Sequence, residues 1–88
     1  MALKTLKAKV PAGLNSIARL MEMDVAEIQA WPHFNEMQSA MKDYNLNAIG
    51  KEQLIGRLEE ISIKCAEAQI YHYSTGIDKV ISAIRVAY

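Results

Sequence analysis

Residues 51–87 read KEQLIGRLEEISIKCAEAQIYHYSTGIDKVISAIRVA, and this stretch has the longest helical pattern in the chain. Mostly apolar side chains recur in it at steps of four and three residues, as the buried stripe of an α-helix requires: Leu54, Leu58, Ile61, Cys65, Ala68 and His72. A second stripe consists of Ile77, Val80 or Ile81, and Ile84. Because Ser74-Thr75-Gly76 separates the two stripes, we predict a break or kink near Gly76. The alternative is one straight helix of about 55 Å.

The chain before this stretch also has helical periodicity. One stripe, followed by an Asn- and Gly-rich loop over residues 45–50, consists of Phe34, Met37, Met41 and Tyr44. A shorter helix after Pro11 has the stripe Leu14, Ile17, Ala18 and Met21. Asp24 is placed to cap a further helix, which Pro32 ends and whose inward side chains are Val25, Ile28 and Trp31. We predict an all-α fold, a small helical bundle of four or five helices with a long C-terminal helical hairpin or kinked helix.

Length and composition limit the chain to one small domain. Its 88 residues are 51% hydrophobic, which is enough for one core but leaves much surface exposed, so a partner subunit would add stability. Ten basic and ten acidic residues cancel, which argues against a general polyanion-binding protein. The single Cys65 excludes an internal disulfide, and no apolar run approaches the ~20 residues of a membrane span. We expect a cytoplasmic protein without a membrane partner.

The first ten residues, MALKTLKAKV, contain Lys4, Lys7 and Lys9 and no acidic residue. A lone strand would have no pairing partner in a helical chain, and like charges suit a solvated segment. We predict a basic flexible arm over residues 1–10 and a single helical domain over residues 11–88. A docked or intersubunit strand is the alternative for the arm.

No group of residues in the sequence indicates catalysis. Four isolated glycines form neither a GxGxxG motif nor a P-loop. One Cys and two His cannot supply a four-ligand zinc site, and Cys65 falls on an apolar stripe, where a free thiol is buried. Glu59 and Glu60 are adjacent and point about 100° apart on a helix, so they do not form a paired-carboxylate site. We expect no enzymatic activity, no cofactor and no metal.

Residues 17–31, IARLMEMDVAEIQAW, resemble a helix-turn-helix in layout. Ala18, Met23 and Ile28 have the spacing of the packing positions in that motif. Glu22 stands where the turn usually has glycine, and the second helix offers no Lys or Arg for phosphate groups. A DNA-binding regulator is therefore an alternative function that the sequence disfavours.

The predicted binding residues are Tyr71, His72 and Tyr73, with Arg57 and Lys64 as neighbouring cations. Three consecutive rings spread over about 200° of a helix, so at least one faces solvent, another subunit or a ligand. We expect a non-enzymatic binding protein that self-assembles, most simply as a two-fold dimer, and occupies or sequesters a partner, as small phage-borne inhibitors and adaptors do. A further alternative is an oligomeric sponge for a small anionic, nucleotide-like ligand.

Overall fold

The computed structural model describes residues 9–88, which fold into five α-helices with no strand among them. The helices are α1 (Leu14–Met21), α2 (Val25–Ala30), α3 (Phe34–Asn45), α4 (Lys51–Glu67) and α5 (Tyr71–Ala87). The predicted all-α fold and small helical bundle are confirmed. None of these helices is long and apolar enough to cross a lipid bilayer.

The two long helices, α4 and α5, form an antiparallel hairpin at the centre of the bundle. α3 packs on α4, α1 packs on α5, and the short α2 joins α1 to α3. Every helix contributes fully buried side chains to one core, among them Ile17, Ile28, Met37, Leu58 and Ile84. The hairpin also has a polar contact, since the buried Ser62 hydroxyl lies 2.9 Å from Ser74 Oγ and donates to Asp78 Oδ1 at 3.0 Å.

The position predicted for the break in the 51–87 stretch is wrong. The hairpin turns at residues 68–70, and Gly76 lies inside α5. Gln69 adopts a left-handed conformation with φ of 64°, its N–H donates to Ala66 O, and the N–H of Ile70 donates to Cys65 O. This pair of hydrogen bonds is the Schellman motif, which usually has glycine at the left-handed position.

The displaced turn also changes which residues of the stripe are buried. Leu54, Leu58, Ile61 and Cys65 are buried as predicted, but Ala68 and His72 are exposed. The buried stripe of α4 therefore ends at Cys65. The periodicity does not continue across the turn, because α5 begins as a separate helix with its own buried face. Ile28 in α2 and Trp31 directly after it are buried as predicted. Val25, the first residue of α2, is 38% exposed, so the prediction that its side chain points inward is wrong.

The N-terminal segment is packed from Val10 onwards. Val10 is buried, its N–H donates to Asn45 Oδ1 at 2.8 Å, and its carbonyl accepts from Asn45 Nδ2 at 2.9 Å. Gln38 Nε2 donates to the carbonyl of Ala12 at 2.8 Å. Residues 1–8 of the predicted arm lie outside the described residues, while its last residue is held against α3 by the amide side chain of Asn45.

Candidate partner-binding face

Four rings form a row at the end of the bundle where α2 ends and where α3 and α5 begin. The rings of Trp31 and Tyr73 are stacked, with centroids 4.9 Å apart and planes within 4° of parallel. His33 packs edge-on against Trp31 with centroids 5.9 Å apart, and His72 lies 4.3 Å from Tyr73. We call His33, Trp31, Tyr73 and His72 the aromatic row.

Tyr73 is the residue that joins α5 to α2. Its hydroxyl donates to the carbonyl of Glu27 at 3.0 Å while its ring is stacked on Trp31. Burial raises the pKa of the Tyr73 phenol, and the nearby Glu27 carboxylate raises it further. Tyr73 is therefore a neutral hydrogen-bond donor that fixes the start of α5.

Tyr71 and His72, the two residues before Tyr73, are exposed to solvent. Tyr71 is the first residue of α5 and is 60% exposed. Because Tyr73 is held both by its ring and by its hydroxyl, Tyr71 and His72 project from a rigid helix start. Rigid aromatic side chains provide contact area for a partner at a small loss of conformational entropy.

An ionic network extends the aromatic row to α4. His33 Nδ1 lies 2.9 Å from Glu36 Oε1, and Lys64 Nζ lies 3.5 Å from Glu36 Oε2. The hydrogen bond with His33 lowers the pKa of the Glu36 carboxyl, and the charge of Lys64 adds to that effect. The row and the network form one continuous set of contacts from His72 to Lys64.

A shallow cleft of about 300 Å³ lies between α3 and α4, next to this network. Its lining residues are Glu36, Ser39, Arg57, Glu60, Ile61 and Lys64. Both cations already have a carboxylate partner, since Arg57 Nη1 lies 2.9 Å from Asp43 Oδ2 and Lys64 contacts Glu36. The cleft is thus balanced in charge, and an incoming anion would compete with two existing ion pairs.

The five predicted binding residues fall into three groups. Tyr71 and His72 are exposed at the start of α5, Tyr73 forms internal contacts, and Arg57 and Lys64 line the cleft. Of the two cations, Lys64 is connected to the aromatic row, through Glu36 and His33, whereas the ion pair of Arg57 is with Asp43.

Sequence reasoning missed that the buried ring of Trp31 packs between His33 and Tyr73. The rings within residues 31–34 are a local sequence signal, but their meeting with α5 spans about 40 positions and has no local signature.

Cys65 is buried behind the aromatic row. Burial raises the pKa of its thiol, and the indole N–H of Trp31 has a smaller effect in the opposite direction. Sulfur is a weak acceptor, and within residues 9–88 the buried Trp31 Nε1 has no hydrogen bond of standard geometry. A buried thiol with a raised pKa is a poor nucleophile.

Other types of site lack the necessary groups in the described part of the chain. Nowhere in residues 9–88 do three His, Cys, Asp or Glu side chains come together as metal ligands would. The helix-turn-helix-like segment has a second helix of only six residues, with Glu27 in its first turn and no basic residue in its last turn. This helix therefore has no cation that could contact a DNA phosphate group.

No protein-family model, curated protein sequence or solved structure matches the chain significantly.

Proposed function

We propose that this chain is a non-enzymatic binding protein of the cytoplasm, which assembles with itself and occupies a protein partner in the manner of an inhibitor or adaptor. The partner contacts the exposed start of α5, where Tyr71 stands next to His72, the exposed end of the aromatic row. Lys64, at the other end of the same set of contacts, adds a charged contact.

One observation carries this proposal: an exposed tyrosine precedes a tyrosine that is fixed internally. Tyr71 is 60% exposed, while Tyr73 two positions later is stacked on Trp31 and bonded to the carbonyl of Glu27. Aromatic side chains on rigid supports are enriched among residues that dominate binding energy. A side chain needed only for folding would instead be covered by the core.

Photo-crosslinking tests the proposal and traps the partner in the same step. A benzophenone amino acid replaces Tyr71 in one variant and Arg19, which is exposed on α1 away from the start of α5, in the control. We expect a discrete crosslinked protein from position 71 and none from position 19. Equal products from the two positions would contradict a binding face at the start of α5.

Substitutions then measure the contribution of the face. Tyr71→Ala should weaken binding of the crosslinked partner by about 2 kcal/mol, the usual loss at a dominant contact. Tyr73→Phe keeps the stacked ring and should bind normally. Gln29→Ala tests the DNA-binding alternative. If this substitution abolishes partner binding while Tyr71→Ala binds normally, the helix-turn-helix alternative is correct.

A further inference from the structure

Basic side chains without an ionic partner are unevenly distributed over the part of the molecule that the structure describes. Within residues 9–88, carboxylates pair with Arg57, Lys64 and Lys79. Apart from Arg19 on α1, the Lys and Arg side chains that have no such pair all belong to one end of the bundle: Lys9, Lys42, Lys51 and Arg85.

The contacts between segments bring these four residues to the same end. Lys9 precedes Val10, whose backbone N–H is hydrogen-bonded to Asn45 at the end of α3. Lys42 lies in the last turn of the same helix. Lys51 begins α4, and its Nζ donates to the carbonyl of Arg85 near the end of α5 at 3.4 Å.

Two aliphatic side chains at this end are unusually exposed. Leu46, directly after α3, is 77% exposed, and Val86, in the last turn of α5, is 88% exposed. We call Leu46, Val86 and the four cations the basic end. Positive charge around exposed aliphatic side chains is suited to a partner surface that is acidic at its edges and apolar at its centre.

The outward face of α4 combines an exposed aliphatic side chain with acidic neighbours. Ile63 is 58% exposed, and on the helix it is neighboured by Glu59, Glu60 and Glu67, which lie three or four residues away. None of these glutamates forms an ion pair with a described residue. We call Glu59, Glu60, Ile63 and Glu67 the acidic face.

We propose that the basic end of one copy binds the acidic face of a second copy of this chain, so that a two-fold dimer makes this contact twice. Pairing the same region with itself would oppose like charges, whereas this arrangement brings opposite charges together and covers Ile63 with the exposed aliphatic side chains. A two-fold arrangement closes the assembly at two copies. The inference specifies the self-assembly step of the proposed function and uses neither Tyr71 nor His72.

Charge reversal with light scattering tests the dimer. The first variant carries Glu59→Lys and Glu67→Lys, and the second carries Lys42→Glu and Arg85→Glu. Wild-type protein at tens of micromolar in low salt should have twice the chain mass of 9.9 kDa. Each variant alone should have the mass of one chain, because the first variant makes the acidic face net positive and the second removes the net positive charge of the basic end. An equimolar mixture of both variants should regain the dimer mass.

Controls separate this contact from general charge effects and from the partner-binding face. Arg19→Glu reverses an unpaired cation outside the basic end and should remain dimeric. At about 1 M salt, where the screening length falls to about 3 Å, the wild type should dissociate. A monomeric wild type in low salt, or a mixture that stays monomeric, overturns the inference. Neither result affects crosslinking at position 71, so failure of the dimer and failure of partner binding are distinguishable.

Discussion

Gly56 and Gly76 form a matched pair for testing how α1 packs on α5. Each is the sixth residue of a helix of 17 residues. A Cβ atom at Gly56 would have no neighbouring atom within 4 Å, whereas one at Gly76 would meet Met21 Cε at 3.0 Å, Met21 Cβ at 3.1 Å and Met21 O at 3.3 Å. Substitution by Ala therefore changes helix propensity equally at the two positions and changes packing at only one.

The expected effects of the two substitutions on the free energy of unfolding differ by about 1–3 kcal/mol. Replacing Gly by Ala inside a helix stabilises it by about 1 kcal/mol, which is the whole effect expected for Gly56→Ala. At Gly76 the methyl group of Met21 can rotate away, but its Cβ and carbonyl oxygen can move only if α1 moves. Overpacking of this kind costs about 1–3 kcal/mol, so Gly76→Ala should be neutral to about 2 kcal/mol less stable than the wild type.

Urea unfolding followed by circular dichroism measures both variants, in high salt so that charge-driven self-association is screened. In thermal unfolding each kcal/mol corresponds to a shift of about 4–8 °C for a domain of this size. If Gly76→Ala stabilises the protein as much as Gly56→Ala, then α1 does not pack closely on α5 at this position and the reasoning is refuted.

Three further predictions concern single groups. Asn45→Ala removes the hydrogen-bond partner of both the N–H and the carbonyl of Val10, so the free energy of unfolding should fall by about 1–3 kcal/mol. Tryptic cleavage after Lys9 should also become faster, and an unchanged cleavage rate would show that Asn45 does not hold Val10 against α3. Cys65 should react with a thiol reagent much more slowly in native protein than in urea, because burial blocks access and raises its pKa; rapid native labelling would mean that the thiol is accessible. Glu36 has a pKa below its ordinary value of 4.5, chiefly through His33, so its contribution to stability is complete above that value and is lost as pH falls through the folded-state pKa. Glu36→Gln should therefore reduce the loss of stability below pH 4.5, and an unchanged pH profile would count against this contact.

The helical stripes were predictable because helix burial has a local period. Met37, Met41 and Tyr44 are buried on α3, and Leu54, Leu58, Ile61 and Cys65 are buried on α4, as their spacing indicated. The end of α2 before Pro32 follows from the restriction that proline places on the preceding residue.

Helix ends were less predictable, because the residues that form them lack the usual signature. Left-handed residues follow α1, α3 and α4 within one or two positions, and none of the three is glycine: Glu22, Asn47 and Gln69. Asn tolerates this conformation, but Glu and Gln usually avoid it at a cost of about 1–2 kcal/mol. Hydrogen bonds to the freed carbonyl groups and packing of the next helix offset that cost. At Gly76 the sequence predicted a break that does not occur. Gly76 lies inside α5, where the absence of a side chain permits the close approach of Met21.

Local patterns in the sequence suffice to predict an all-α chain of small size, the buried stripes of its long helices, and the aromatic character of residues 71–73. Which of the aromatic side chains are exposed depends instead on contacts between helices. Trp31 and Tyr73 are distant in sequence, and their stacking makes Tyr73 internal while leaving Tyr71 exposed. The clustering of unpaired cations at one end of the bundle also results from contacts between helices. Contacts between helices are set by core packing over long sequence separations, and such contacts leave no periodic trace in the sequence.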